Sequence, residues 1–237
     1  MKILCTSDIH SNIEAIKRLV RLSDKYDLVL IAGDLFDRRT TYQETKPLLK
    51  PFKRLRNIFI VHGNNENKDI IESYKEIFSE RYLNFSFLNF SDLIIMGIGG
   101  AIPDGDKRHY PNFSKELKKI LVNSNIHKIV LSHYPAKGIN DEVFGIGIHV
   151  GFRTISNFLY KIKPNFLLTG HIHEAIGISN VVYREGNVFV IEKSRDLDGN
   201  EFNLETENLV ALNAAYVTLK KFVECEVTQR KVKVVTI

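Results

Sequence analysis

Residues 27–34 read Asp-Leu-Val-Leu-Ile-Ala-Gly-Asp. The apolar run predicts a buried strand over 27–32, ended by Gly33, with Asp34 delivered just beyond it. The same pattern recurs to either side. Residues 2–7 are a short apolar run ending in polar residues, and Asp8 follows; residues 57–61 lead into His62-Gly63-Asn64. Residues 128–131 stop at Ser132-His133, and residues 166–169 stop at Gly170-His171. A further strand is expected over 93–98. Helical patterns lie between these runs. Ser11 and Glu14 have capping-box spacing, ahead of an apolar stripe of Ile13, Ile16, Leu19 and Val20. Further helices are expected around 41–55, where Pro47 and Pro51 must bend or shorten the element, and over 69–78, 114–122 and 152–162.

From Val181 onward the texture becomes β-rich, with strands expected over 181–183, 188–191, 209–219 and 232–237 and a polar, turn-rich loop over 193–208. No repeat or linker divides the chain, so residues 1–237 are expected to form one domain with a β-rich C-terminal segment, 181–237. Strands alternating with helices, followed by strands, predict a layered α/β sandwich.

The bulk properties exclude several classes. Apolar residues make up 44% and charged residues 26% of the 237, in the ordinary globular range and far from disorder or coiled coil. The net charge of +5 favours anionic partners, though without interleaved aromatic and basic stretches it is weak support for nucleic acid. Cys5 and Cys225 make no disulfide framework, and no apolar run reaches the length of a signal peptide core or a membrane span. A cytoplasmic protein without membrane association is expected.

Asp8, Asp34, Asn64, His133 and His171 each follow their own expected strand, and in layered α/β folds ligands gather at the carboxyl ends of strands. With His10 and His173 these positions offer two carboxylates, one amide oxygen and four imidazoles. Mixed oxygen and nitrogen donors without thiolate suit manganese, iron, zinc or cobalt better than calcium or magnesium. Seven ligands are too many for one tetrahedral ion and suit two ions sharing a carboxylate. Asp8-Ile9-His10 and His171-Ile172-His173 put alternate side chains on one side of an extended backbone, so each pair converges on one pocket. Gly33, Gly63 and Gly170 permit close backbone approach beside the ligands. Each piece alone is commonly a turn or a cap; the ordered set is not.

That ordered set resembles the signature of the calcineurin-like metallophosphoesterase superfamily, here as Asp8-Ile9-His10, Gly33-Asp34-Leu35-Phe36-Asp37, Gly63-Asn64-Asn65-Glu66, His133 and Gly170-His171-Ile172-His173. The resemblance implies a small member built on two packed mixed β-sheets flanked by helices, a four-layer α/β/β/α sandwich. It implies two divalent metal ions, manganese first with iron, zinc, cobalt or nickel as alternatives. Asp8, His10 and His173 would hold one, Asn64, His133 and His171 the other, with Asp34 bridging. A hydroxide activated by both ions would then attack a phosphate ester, phosphodiesters being favoured over monoesters.

This chain departs from the pattern at Asn65, where the family usually has histidine. An amide can donate a hydrogen bond to phosphate but cannot protonate a leaving group. Better activity is therefore expected on phenolic esters than on esters of poorly leaving alcohols. His149 is the candidate replacement acid, whereas His62 reads as a strand-end residue facing away. Asp37 is expected to organise its loop and Arg38 to steer phosphate. Leu212-Asn213-Ala214-Ala215 loosely matches the Asn-Pro-Gly turn that small members carry after the last motif. The intervening segment suits a lid, a selecting hairpin or a homodimer contact. The reading from another class is a metal-poor scaffold that keeps the fold for protein interaction.

Overall fold

A computed structural model describes residues 1–100, 127–143, 147–203, 208–215, 221–228 and 231–237. One mixed sheet has the order β12 (Asn200–Asn203), β15 (Lys231–Thr236), β14 (Val223–Val227), β1 (Lys2–Thr6), β2 (Leu28–Ala32), β3 (Ile58–Val61). The other runs β11 (Asn187–Ser194), β10 (Gly177–Arg184), β13 (Asn208–Asn213), β9 (Phe166–Thr169), β6 (His127–Ser132), β5 (Leu93–Ile98), β4 (Ser86–Phe90). In the first sheet β1, β2 and β3 are parallel, with Ile3 opposite Leu28 and Val29 opposite Ile58. In the second, β5, β6, β9 and β13 are parallel. The remaining pairings are antiparallel, so the C-terminal segment supplies strands to both sheets.

The central strands β2, β3, β5 and β9 are nearly unbroken apolar runs because both of their faces are covered. Ile3, Cys5, Leu28, Leu30, Phe59 and Val61 point between the sheets and meet Ile129, Leu131 and Leu168. Leu4, Val29, Ile31, Ile58 and Ile60 point outward beneath α1 (Ile13–Ser23), α2 (Tyr42–Leu49) and α3 (Lys68–Phe78). On the far side Val130 and Leu167 pack under Ile155, Phe158 and Leu159 of α4 (Arg153–Ile162). Helix, sheet, sheet and helix form the expected four layers. Each such aliphatic side chain contributes about 1.5–3 kcal/mol when fully buried. Cys5 and Cys225, far apart in sequence, meet between β1 and β14 as free thiols with Sγ atoms 3.9 Å apart.

Local details differ from the sequence reading for physical reasons. Helix α1 is capped by Asn12, whose side chain accepts from Ala15 N, and not by Ser11. Ser11 is drawn into the neighbouring loop, accepting from Asp37 N at 2.8 Å. The helix expected over 41–55 stops at Leu49 and continues as a 3₁₀ turn, Lys50–Arg54, with Pro51 in its first turn. The loop expected over 193–208 contains β12, a polar edge strand paired with β15. Strands β4 and β14 have no counterpart in the sequence reading. The helix expected over 114–122 lies outside the described residues, as do 216–219 of the expected last long strand. Among the described residues, no helix is long and apolar enough to cross a membrane.

Candidate metal centre

The carboxyl ends of β1, β2, β3, β6 and β9 bring Asp8, Asp34, Asn64, His133 and His171 to one edge of the two sheets. Asp8, His10 and His173 form one triad, and Asp8, Asp34 and His133 another, with the donor atoms of each within 4.8 Å of one another. Asp8 is common to both. His133 Nε2 lies 2.9 Å from Asn64 Oδ1 and 3.6 Å from Asp34 Oδ2. The His171 ring stands 5.1 Å from that of His133 and stacks at 4.1 Å on Tyr134. All seven positions singled out in the sequence are thus gathered at this edge.

The backbone is bent to achieve this. Asp8, His10, Asp34 and His171 have φ of 57°, 49°, 51° and 68°, left-handed conformations that cost non-glycine residues about 1–3 kcal/mol each. Gly63 and Gly170 make room for them. A Cβ on Gly63 would overlap Asp34 Oδ1, and one on Gly170 would overlap Ser7 Oγ and Asp8 Oδ2.

Several contacts set the donors' chemistry. His133 Nδ1 donates to the Ala32 carbonyl at 2.8 Å, which leaves Nε2 as a lone pair in the neutral ring. That lone pair faces Asn64 Oδ1, another acceptor, so a cation between them resolves the contact. His10 Nδ1 likewise donates to Asp37 Oδ1 at 3.0 Å, freeing Nε2 toward Asp8, so the Asp37 carboxylate holds a residue of the neighbouring loop. Asp8 and Asp34 are each 1% exposed, and neither has a lysine or arginine partner among the described residues. Buried carboxylates whose only basic side-chain neighbours are imidazoles fit divalent cations. Burial works to raise the Asp8 pKa, but hydrogen bonding, first with His173 and then with Ser7 and the His171 N–H, holds it down at about 2. Burial pushes His171 down to about 4, so its ring is available as a neutral ligand near pH 7.

The family model for calcineurin-like phosphoesterases matches residues 1–175. The chain belongs to that family. Phosphoester hydrolysis with divalent metal ions is the family's chemistry, and this calcineurin-like phosphoesterase has the residues to hold such ions. It is 22% identical over 183 residues to a probable cyclic nucleotide phosphodiesterase of Coxiella burnetii, spanning 72% of this chain and 69% of that protein. Among solved structures it resembles TT1561 of Thermus thermophilus, with a TM-score of 0.61 at 14% identity over 94% of this chain and 92% of the other. It also resembles the purple acid phosphatase PPD1 of yellow lupin (Lupinus luteus), with a TM-score of 0.56 at 11% identity over 95% of this chain and 49% of that one. These likenesses show the fold.

The remaining predicted site residues of this phosphoesterase are placed as follows. Asn65 closes on Asp34 through its backbone N–H (Oδ1, 2.9 Å) and its side-chain amide (Oδ2, 2.6 Å), keeping one amide hydrogen in hand. Arg38 is exposed on the loop after β2 and lines a cleft beside Asn65. His149 lies in a small hairpin, β7 (Glu142–Val143) with β8 (Ile148–His149), that packs beside the turn His173–Ala175. Its Nδ1 is 2.6 Å from Asp141 Oδ1. His62 is hydrogen-bonded to the Tyr82 hydroxyl at 2.8 Å and held against Gly99 and Gly100.

Three supporting residues escaped the sequence reading. Glu66, quoted only as part of its motif, is buried and accepts from the backbone N–H groups of Asp34, Leu35, Phe36 and Gly63 and from the Tyr74 hydroxyl. Burial and the charge of Asp34 push its pKa up to about 7. Asp141 is 1% exposed; besides His149 it accepts from Gly138 N and Gly151 N. Asn213, in the loosely matching turn, donates to the Ile172 carbonyl at 3.0 Å between the paired histidines. Its place in that turn was the available signal; Asp141 had none.

Proposed function

We propose that this protein hydrolyses phosphate esters with two divalent cations, phosphodiesters ahead of monoesters, manganese being the favoured metal and iron, zinc, cobalt and nickel alternatives. The observation that carries the proposal is the convergence of two donor triads from both sheets on one shared carboxylate, with buried acceptors facing one another. Asp8, His10 and His173 would hold one ion and Asn64, His133 and His171 the other. Asp34 would lie between them, and Asp8, common to both triads, is a second carboxylate suited to that place. Bound cations supply positive charge to phosphoryl oxygens and acidify a water into a nucleophile.

The chain's own groups do the rest. The free amide hydrogen of Asn65 is available to a phosphoryl oxygen, but the amide has no proton to give a departing alcohol. His149 is the proposed donor of that proton. Asp141, buried and fixed by two backbone N–H groups, holds Nδ1 and so leaves Nε2 to exchange a proton with the leaving oxygen. Arg38 is assigned to attracting the anionic substrate. The diester preference draws support from the absence of the usual histidine and from the name of the Coxiella relative, since a cyclic nucleotide is a diester.

The test is hydrolysis of bis-p-nitrophenyl phosphate and p-nitrophenyl phosphate by chelator-stripped protein, with Mn²⁺, Zn²⁺, Mg²⁺ or no metal restored. His171→Ala is the control. Mn²⁺-dependent turnover of the diester, lost in the variant, is expected. Turnover of the monoester alone would overturn the diester preference and keep the metal chemistry. No turnover with any metal, together with negligible metal binding, would overturn the enzyme reading in favour of a scaffold.

A further inference from the structure

A cleft of about 790 Å³ opens beside Asn65. It lies between the start of α1 and the outward face of α2, over the loop that follows β2. Ile13, Pro47 and Leu48 line it with apolar surface above the buried Phe36, and Arg38 and Arg39 line it with cations. Asp37 and Asn65 also border it, and they touch His10 and Asp34 respectively, so the cleft is continuous with the candidate metal centre. A second cavity, of about 330 Å³, is lined by Met1, Asp92, His127 and Lys128 among others and by none of the candidate ligands.

Two features say what the first cleft takes. Ile13 is 50% exposed although Ile16 and Leu19 of the same stripe are buried, so α1 presents an aliphatic side chain at the cleft without covering it. The acidic groups there are already engaged: Asp37 by His10, and Glu44 by the N–H and hydroxyl of Thr41. Arg38 and Arg39 have no carboxylate partner among the described residues. An apolar lining edged by free guanidinium groups suits a flat aromatic group, because the planar cation stacks on aromatic faces. The volume is in the range of small-molecule sites.

We infer that this cleft is the subsite for the ester substituent that stays on phosphorus, and that it selects diesters whose retained substituent is aromatic. The inference rests on the proposed function, and it assigns the two sides of the phosphorus. The leaving alcohol is assigned to the His149 hairpin beside the His173 turn, and the retained group to the cleft beside α1 and α2. A monoester has no group to put there.

Two diesters with the same leaving group isolate the effect: bis-p-nitrophenyl phosphate and methyl p-nitrophenyl phosphate. In the Mn²⁺-loaded wild type, KM for the aromatic diester should be at least fivefold lower than for the methyl diester, at similar kcat. Ile13→Asn and Arg39→Ala should each raise KM for the aromatic diester about fivefold and leave the methyl diester within twofold. Active variants that keep the wild-type ratio of KM values would overturn the inference. An independent readout is the Ile13 methyl resonance of metal-free protein, titrated with phenylphosphonate or methylphosphonate. A shift with the phenyl compound only is expected; no shift, or equal shifts, would overturn the subsite. If wild type hydrolyses neither diester with any metal, the phosphoesterase reading fails and this titration alone decides what the cleft binds.

Discussion

In the proposed mechanism Asn65 and His149 would divide between them the work that one histidine would do, and each half is separately testable. His149→Gln keeps a hydrogen-bonding side chain and removes the proton, so kcat for a diester with an alkyl leaving group should fall about 10²-fold. The p-nitrophenyl diesters should change little, because their leaving group needs no proton. Asp141→Asn should reproduce the same selectivity more weakly, since it disturbs the tautomer of His149 and leaves the ring in place. Equal losses on both leaving groups would mean that His149 is structural. Conversely, Asn65→His should raise kcat on alkyl esters. The candidate ligands were legible at this scale because they occur in short motifs, Asp8-Ile9-His10 and His171-Ile172-His173, but the extended backbone expected there is replaced by left-handed turns at Asp8, His10 and His171, and His171 lies outside the triad that His173 joins. Asp141 was not legible, because no local pattern announces its partners at Gly138, His149 and Gly151.

The loops after β2 and β3 are tied together by Glu66, which gathers N–H groups from 30 or more residues upstream as well as from nearby Gly63. Glu66→Gln offers one acceptor oxygen where two are in use, leaving buried donors unsatisfied. A loss of about 2–4 kcal/mol, or roughly 5–15 °C in Tm, is expected in thermal unfolding without metal. An unchanged Tm would show that water or a neighbouring group replaces the carboxylate. Gly170→Ala should be worse for metal affinity than for folding, because the added methyl strikes Asp8 and Ser7 and not the apolar core. The central strands β1, β2, β3, β5, β6 and β9 could be read from their apolar runs, whereas β4 and β14, which alternate with polar residues, could not. Strand β12 could not, because Asn200–Asn203 is polar and its order comes from pairing with β15, some 30 residues away. The start of α1 was displaced by one residue for a similar reason: Ser11 makes its hydrogen bond to Asp37 N and not to its own helix.

At the scale of the molecule, β1 is held between β2 and the late strand β14, and β13 is inserted between β9 and β10, which precede it in the chain, so the last strands are built into both sheets. Chemical unfolding followed by two probes, one on each sheet, should therefore show one coincident transition. Adding Mn²⁺ at about 100 times its Kd should stabilise the fold by about 2.7 kcal/mol, and Asp8→Asn should abolish that gain. A second transition that survives metal addition would instead divide the chain into separate units.

The interleaving also sets a clock. A nascent chain that has emerged through residue 100 carries Asp8, His10, Asp34 and Asn64 but lacks His133, His171 and His173, and β1 still awaits its partner at Val223–Val227. On the proposed assignment neither ion would have its full set of ligands while the first hundred residues stand alone. Capture of both ions would then wait until residue 173 has emerged, and a ribosome stalled before residue 171 would display buried-type carboxylates to the solvent with two of the proposed imidazoles still missing.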